Sequence, residues 1–257
     1  MTVSHGASVS LDAATRILRK ARSALFITGA GLSEESGMPS YRGIGGLWED
    51  PSKSEHPSIE VALSESMFTR HPEITWQRIG RIREACRGVT FNEAHVALAR
   101  LEGRLERAFV LTQNVDGLHQ EAGSCHVIDL HGDVRKGRCS ICSYAASLTA
   151  EEAALVPRCP RCGTTLRPDL LLSGERTSGA KTSQIAAELE RGFDVVMAIG
   201  TSRLEPNVTH PILLASVKGV PTIEVNLEET TLSDTVAVKL SETAVDALSA
   251  IMAQLEG

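Results

Sequence analysis

The chain has 257 residues, a net charge of −6 and 42% hydrophobic residues, a balance typical of a globular protein with one large core and room for a small second one. The acidic charge and an aromatic content of 4% argue against direct nucleic-acid binding, which uses basic surfaces and stacking side chains. No stretch approaches the roughly 18 apolar residues that a membrane-spanning helix needs, so no membrane association is expected.

Short apolar runs alternate with helical periodicity along most of the chain, which predicts an α/β protein with a parallel sheet covered by helices on both faces. The predicted strands are 24–28, 108–112, 127–130, 194–199, 222–225 and 236–239. The predicted helices are 11–22, 63–87, 92–101, 182–191, 210–217 and 243–255.

Two segments interrupt this alternation and are interpreted as insertions. The segment 43–87 is too long for a simple crossover between strands and predicts a small helical module. The segment 136–167 carries paired cysteines and predicts a second small module. The large sheet domain then consists of about 11–42, 88–135 and 166–257, with a cleft between the large and small parts.

A glycine-rich turn, Gly29-Ala30-Gly31, follows the first predicted strand directly and leads to Ser33. Glycines at a strand-to-helix turn let the backbone approach a pyrophosphate, which the amides at the helix N-terminus then bind. Glu34 occupies the third glycine position of the usual dinucleotide fingerprint, and the acidic ribose ligand expected about 20 residues on is missing. A tight turn without a ligand therefore remains an alternative.

Polar side chains follow two further predicted strands at the points where they end. Gln113, Asn114 and Asp116 follow the second strand, and His131 follows the third. Because ligands bind beyond the carboxyl ends of strands in open parallel sheets, these side chains are expected in the cleft. Amides can orient a hydroxyl, and an imidazole there is placed for general base catalysis. The alternatives are a helix N-cap for Asp116 and a structural role for His131.

Four cysteines form two pairs, Cys139-x-x-Cys142 and Cys159-x-x-Cys162, with sixteen residues between them. This spacing predicts one tetrahedral Zn²⁺ site, and four protein ligands leave no open position, so the zinc is expected to be structural. Disulfides or chance clustering are the alternatives. Zinc-spaced thiols suit a reducing compartment, which predicts a cytoplasmic protein. The first cysteine follows His131 by only eight positions.

Read together, these motifs resemble the sirtuin family of NAD-dependent protein deacylases. The matching residues, in the family's order, are Gly29-Ala30-Gly31, Ser33, Ser36-Gly37, Pro39, Arg42, Thr112-Gln113-Asn114-Val115-Asp116, His131-Gly132, the four cysteines, Arg167-Pro168, Gly174-Glu175, Gly200-Thr201-Ser202 and Val225-Asn226-Leu227-Glu228. They cover nearly the whole chain. The resemblance implies a Rossmann-like domain, a zinc-ribbon module and NAD bound between them.

The resemblance also implies a reaction and the residues that perform it. The carbonyl oxygen of an acylated lysine, in a protein or peptide, attacks C1′ of the nicotinamide ribose and expels nicotinamide, and the products are free lysine, nicotinamide and O-acyl-ADP-ribose. His131 is the implied general base, which activates a ribose hydroxyl to attack the resulting imidate. Asn114 orients the ribose or a water, and Asp116 holds the nicotinamide carboxamide. The implied NAD-contacting positions are Gly29, Ala30, Gly31, Ser33, Arg42, Gln113, Asn114, Asp116, Gly200, Thr201, Ser202, Asn226, Leu227, Glu228 and Ala244.

The chain departs from the family's pattern at several positions. Ser40-Tyr41 replaces Asp-Phe, and Ser173 replaces the Phe that usually precedes Gly-Glu, which removes an apolar wall where a substrate peptide adds as a strand. Ile79 and Ile82 align with the Tyr and Arg that grip acidic acyl groups in some sirtuins, so an acetyl or longer apolar group is expected. The neighbouring arginines, Arg78, Arg81 and Arg83, keep the acidic alternative open.

Two other functions compete with deacylation. An NAD-dependent ADP-ribosyltransferase or NAD glycohydrolase would use the same cleft without needing the base. A zinc-ribbon module that binds NAD or nucleic acid without catalysis is the other alternative, which the acidic charge and the set Asn114, Asp116 and His131 argue against.

Overall fold

The computed structural model describes residues 5–38, 57–201 and 206–257, so Pro39, Ser40, Tyr41, Arg42 and Ser202 lie outside the described residues. The strands are β1 (Ser23–Thr28), β2 (Arg107–Thr112), β3 (Val127–Asp129), β4 (Gly132–Arg138), β5 (Ala145–Ser147), β6 (Arg167–Leu170), β7 (Val195–Ile199), β8 (Thr222–Val225) and β9 (Val238–Leu240). The helices are α1 (His5–Lys20), α2 (Ala30–Glu34), α3 (Ile59–Ala62), α4 (Glu65–Arg70), α5 (Pro72–Ala85), α6 (Glu93–Arg104), α7 (Leu118–Glu121), α8 (Ala150–Ala154), α9 (Gly179–Arg191), α10 (Pro206–Val217) and α11 (Ala244–Glu256).

The large sheet has six strands in the order β3-β2-β1-β7-β8-β9, and all of its pairings are parallel. This confirms the predicted fold class. The chain adds strands on one side of β1 and then, from β7 onward, on the other. The carboxyl ends of β1 and β7 therefore flank a topological switch point, which is where open sheets of this kind bind ligands.

Helices cover both faces of the sheet, as predicted. Leu18 of α1, Leu98 of α6 and Leu248 of α11 are buried on one face. Ile185 of α9 and Ile212 of α10 are buried on the other. These amphipathic helices bury their apolar stripes on strands that are themselves almost fully buried, which explains the near-continuous apolar runs in the sequence. Within the described ranges, no helix is long and apolar enough to span a membrane.

The single helix predicted over 63–87 is wrong. The segment forms two helices, α4 and α5, and α3 ends just before it at Ala62. The Ser64 side chain accepts a hydrogen bond from the Met67 amide and so begins α4, and Pro72 begins α5. Because proline has no amide hydrogen and fits the first helical position, the helix restarts there instead of continuing.

The two insertions pack together around one core. Strands β5-β4-β6 form a small antiparallel sheet, which the sequence did not predict. Trp76 of α5 is fully buried against this module, and its Nε1 donates to the carbonyl oxygen of Leu166 at 2.9 Å. Arg83 donates to the carbonyl oxygen of Leu148 at 2.7 Å. The helical and cysteine-bearing segments therefore form one small unit beside the sheet.

Candidate active site

The glycine turn after β1 lies directly against the turn after β7. The Gly29 amide donates to the Ile199 carbonyl at 3.1 Å, and the Gly31 amide donates to the Gly200 carbonyl at 2.9 Å. A Cβ on Gly29 would lie 2.8 Å from the Gly200 oxygen, and a Cβ on Gly31 would lie 3.0 Å from the Gly200 Cα. The close approach of the two turns therefore requires these glycines, a reason that the sequence motif alone did not reveal.

Ala30 and Ser33 belong to the short helix α2, which begins at this turn. Amides at a helix N-terminus can bind an anionic oxygen, but here the Gly31 amide already donates to the Gly200 carbonyl and the Leu32 amide to the Gly29 carbonyl. The binding of dinucleotide phosphates at this position of the switch point therefore stays a prediction from the sequence.

Asn114 connects the turn after β2 to the turn after β1. Its Nδ2 donates to the Gly29 carbonyl at 3.0 Å and to Ser33 Oγ at 2.9 Å. Ser33 Oγ in turn donates to Asp116 Oδ2 at 2.7 Å. Four of the predicted site residues, Gly29, Ser33, Asn114 and Asp116, therefore belong to one hydrogen-bonded group at the carboxyl edge of the sheet.

Asp116 accepts hydrogen bonds at both of its carboxylate oxygens, and its contact with the nicotinamide carboxamide stays a prediction. Its Oδ1 accepts from the Leu118 amide at 2.9 Å at the start of α7, although the N-cap position of that helix is Gly117, one residue after the predicted cap. Burial raises the pKa of the Asp116 carboxyl, and this effect outweighs the hydrogen bonds from Leu118 and Ser33, which favour the charged form. The other oxygen, Oδ2, accepts the hydrogen bond from Ser33 Oγ.

His131 lies between β3 and β4, and its Nδ1 is 2.9 Å from the carbonyl oxygen of Gln113. Because a carbonyl can only accept, Nδ1 must carry the proton, and Nε2 then carries the basic lone pair. A cavity of about 740 Å³ opens beside His131 and is also lined by Leu171 and Gly174. This geometry suits a general base at the wall of a cleft.

The remaining predicted contacts extend along the same edge. Gln113 Oε1 accepts from Thr201 Oγ1 at 3.1 Å, and Asn226 Nδ2 donates to the Thr201 carbonyl at 3.3 Å. Leu227 is 65% exposed, and the Glu228 amide donates to Asn226 Oδ1 at 3.2 Å. The ends of β2, β7 and β8 are thus connected. NAD contacts at these positions stay predictions, as they do for Arg42 and Ser202, which lie outside the described residues.

Ala244 is the first residue of α11, and its amide donates to Glu35 Oε1 at 2.8 Å. Glu35 therefore satisfies the helix terminus predicted to contact NAD and joins it to the C-terminal end of α2. Sequence reasoning missed this carboxylate, because its partner lies far away along the chain.

Ser173 pairs with the helical segment. Its amide donates to the Leu63 carbonyl at 2.8 Å, and its carbonyl accepts from the Glu65 amide at 3.1 Å. Both backbone groups are therefore used, so a substrate strand would have to pair elsewhere along this loop.

The four cysteines meet at the outer end of the small unit. Their Sγ atoms all lie within 4.8 Å of one another, with Cys139 and Cys162 3.4 Å apart and Cys142 and Cys159 3.6 Å apart. Tetrahedral zinc with Zn–S bonds of about 2.3 Å places sulfurs about 3.8 Å apart. The four thiols therefore fit one Zn²⁺.

The fold and the site together define a Rossmann-like α/β protein with a zinc-ribbon insertion at its ligand cleft. The sequence profile described as the Sir2 family matches residues 29–205. The chain is 37% identical over 242 residues to "NAD-dependent protein deacylase 2" of Pseudomonas aeruginosa, which covers 93% of this chain and 94% of the relative. It is 39% identical to "NAD-dependent protein deacylase" of Aeropyrum pernix, over 90% of this chain and 91% of that protein.

Solved structures agree. A Sir2 homologue in complex with NAD superposes with a TM-score of 0.82 at 31% identity, over 95% of this chain and 93% of the other. A mutant Sir2 homologue in complex with 2′-O-acetyl-ADP-ribose gives a TM-score of 0.81 at 32% identity, over 95% and 96%. The chain belongs to the Sir2 family, the sirtuins.

Proposed function

We propose that the protein is an NAD-dependent protein-lysine deacetylase that transfers the acyl group to ADP-ribose and releases nicotinamide. The observation that carries the proposal is the position of His131, which lines a cavity of about 740 Å³ and whose Nδ1 is fixed by the backbone carbonyl of Gln113, the residue before Asn114. Relatives named NAD-dependent protein deacylase and a Sir2 homologue bound to 2′-O-acetyl-ADP-ribose support it.

NAD supplies the ADP-ribosyl group that accepts the acyl group. In our proposal His131 Nε2 takes the proton of a ribose hydroxyl, since only this nitrogen has a lone pair to accept it. The Gln113 carbonyl, 2.9 Å from Nδ1, holds the ring in this tautomer and stabilises the cationic ring after proton transfer.

Asn114 is proposed to orient the ribose or a water through its side-chain oxygen. Both hydrogens of its Nδ2 are engaged, by the Gly29 carbonyl and by Ser33 Oγ. The amide is therefore locked with one orientation, which lowers the reorganisation needed in the transition state. Asp116 is proposed to hold the nicotinamide carboxamide with its remaining lone pairs.

The protein substrate is proposed to be an acylated lysine in an extended segment, and a Sir2 complex with a deacetylated p53 peptide is similar in fold, with a TM-score of 0.77 at 27% identity. An acetyl or longer apolar acyl group is proposed from the apolar pair Ile79 and Ile82, although both side chains are packed in the core of the small unit, 0% and 4% exposed, and do not line the cavity beside His131. Arg83 is engaged with the Leu148 carbonyl, which disfavours a role in binding an acidic acyl group.

The zinc ion is proposed to be structural, because four thiolates complete its coordination. It holds the small unit together beside the cleft. A cytoplasmic location and the absence of direct nucleic-acid binding stay predictions from the sequence.

Product analysis tests the function. The protein is incubated with NAD and an acetyl-lysine peptide, and the products are identified by mass spectrometry. We expect O-acetyl-ADP-ribose and deacetylated peptide. Free ADP-ribose or ADP-ribosylated protein would favour the rival NAD-consuming activities, and unchanged NAD would contradict both.

His131→Ala tests the base. This variant is expected to lose deacetylation by at least about a hundredfold, because proton transfer contributes roughly 10²–10⁴. NAD binding, measured by calorimetry, should persist because the glycine turn and Asn114 are untouched. Full activity in this variant would contradict the role of His131.

A further inference from the structure

A buried chain of hydrogen bonds connects His119 to the ends of β1 and β2 and to Asn114. His119 Nε2 lies 2.8 Å from Thr28 Oγ1, which donates to Thr112 Oγ1 at 2.8 Å. The Asn114 amide donates to the same Thr112 oxygen at 3.0 Å. His119, Thr28, Thr112 and Asn114 are 1%, 0%, 3% and 8% exposed. An imidazole in the core is therefore linked through two hydroxyls to the backbone of a site residue.

The donors and acceptors in these contacts fix the direction in which the hydrogen bonds run, from His119 to Thr112. The Thr28 hydroxyl gives its single hydrogen to Thr112, so its contact with His119 requires Nε2 to be the donor. Thr112 Oγ1 then accepts twice, from Thr28 and from the Asn114 amide. The ring must be neutral with its proton on Nε2, and burial, with a smaller effect of neighbouring His95, lowers the pKa of His119 to about 3, which keeps it neutral.

Packing alone does not explain a histidine at this position. Among the described residues, His119 Nδ1 is buried without a hydrogen-bond partner. Burying such a group costs free energy that an apolar side chain of similar volume would not. The ring provides one directed contact, to Thr28, and that contact leads to Asn114.

Asn114 connects this chain of hydrogen bonds to the predicted site residues Gly29 and Ser33. Its backbone amide donates to Thr112 Oγ1, and its side-chain Nδ2 donates to the Gly29 carbonyl and to Ser33 Oγ. A shift of the backbone would move the side-chain oxygen that is proposed to orient the ribose or a water. Small misplacements of orienting groups reduce turnover strongly.

We propose that His119 is a positioning residue for the deacylation reaction, acting through the hydroxyls of Thr28 and Thr112 on the backbone of Asn114. The inference rests on the proposed function. His119 does not touch the substrate in this account, and its contribution belongs to the geometry of Asn114.

Steady-state kinetics of the zinc-loaded full chain with NAD and an acetyl-lysine peptide test the inference. His119→Leu removes the donor and should lower kcat about tenfold while KM for NAD changes less than about threefold. His119→Gln, which offers an amide N–H near the position of Nε2, should restore most of that turnover. Loss of thermal stability with unchanged kcat in His119→Leu would overturn the proposal.

Thr28 provides a matched pair of variants that is independent of the folding of His119→Leu. Thr28→Val keeps the shape and removes the hydroxyl, whereas Thr28→Ser keeps the hydroxyl and removes the methyl group. We expect Thr28→Val to lose turnover about as His119→Leu does, and Thr28→Ser to retain it. Equal kcat in the two Thr28 variants would overturn the proposal.

A double-mutant cycle separates positioning from a general structural effect. In an Asn114→Ala background, the hydrogen bonds from His119 no longer position an Asn114 side chain. His119→Leu should therefore cause no further loss of kcat in that background. The same tenfold loss in both backgrounds would contradict action through Asn114. Wild-type protein that fails to deacetylate the peptide would instead refute the proposed function, and the positioning role with it.

Discussion

Gly132 joins the candidate base His131 to β4 in a backbone conformation that other residues rarely adopt. Its φ is +90°, and a Cβ there would lie 1.8 Å from the carbonyl oxygen of Asp169 on β6. The Leu171 amide also donates to the His131 carbonyl at 2.9 Å. The position of the imidazole therefore depends on a glycine that lets two strands approach closely.

Gly132→Ala should lower the free energy of unfolding by more than about 3 kcal/mol, since it combines positive φ with a collision against backbone. Gly219→Ala is the matched control, because Gly219 has a φ of +71° but open space around its Cβ. The control should lose only about 1–2 kcal/mol. Chemical denaturation of both variants measures the difference, and equal losses would contradict the steric account.

The site residues that belong to motifs could be predicted from the sequence, whereas contacts between residues far apart along the chain could not. Asn114, Asp116 and His131 follow strand ends, so their meeting at one edge follows from parallel topology. The contact of Glu35 with Ala244 links residues about two hundred positions apart, and no local pattern announces it. The hydrogen bond between His119 and Thr28 was missed for the same reason.

At the scale of elements, the central strands β1, β2 and β7 of the large sheet were predictable because of their long apolar runs. Strand β4 was not, since its sequence Gly-Asp-Val-Arg-Lys-Gly-Arg is charged and shows no clear alternation. Pro72 marks the break between α4 and α5, but the helical periodicity continues on both sides of it, so the sequence predicted a single helix. Packing of α5 on the zinc-binding segment could not be predicted, because the two are far apart in sequence.

Shared packing predicts that zinc loss loosens α5 as well as the cysteine segment. Trp76 of α5 is buried against Leu166 and donates to its carbonyl. After removal of zinc with a chelator, amide hydrogen exchange should become several-fold faster in Pro72–Ala85, because α5 loses its packing partner. Helix α11, which packs on the large sheet, is the internal control. Faster exchange confined to residues 136–167 would contradict one shared small domain.

At the scale of the whole molecule, two buried histidines couple stability to pH. Burial lowers the pKa of His95 to about 4, and burial with a smaller effect of His95 lowers the pKa of His119 to about 3. An imidazole in the unfolded chain titrates near about 6.5. Below that pH the unfolded state binds more protons than the folded state, so stability falls as the pH falls.

The unfolding free energy should therefore decrease by about 3 kcal/mol between pH 7.5 and 5.5, about half from each histidine. Urea denaturation of zinc-loaded protein at both pH values measures this loss. The double variant His95→Gln, His119→Gln should show a clearly smaller loss, because its amides do not titrate. An equal loss in the double variant would assign the effect to other groups.

The whole fold brings a Rossmann-like sheet, a small unit with a zinc site and a histidine at the cleft together. In the proposed function, NAD consumption and lysine deacylation are one reaction. The most direct measurement is the ratio of nicotinamide released to lysine deacetylated, determined from the same samples over time. We expect one nicotinamide per deacetylated lysine and no turnover of the peptide without NAD. Nicotinamide release that is independent of the acetylated peptide, or deacetylation without NAD, would contradict it.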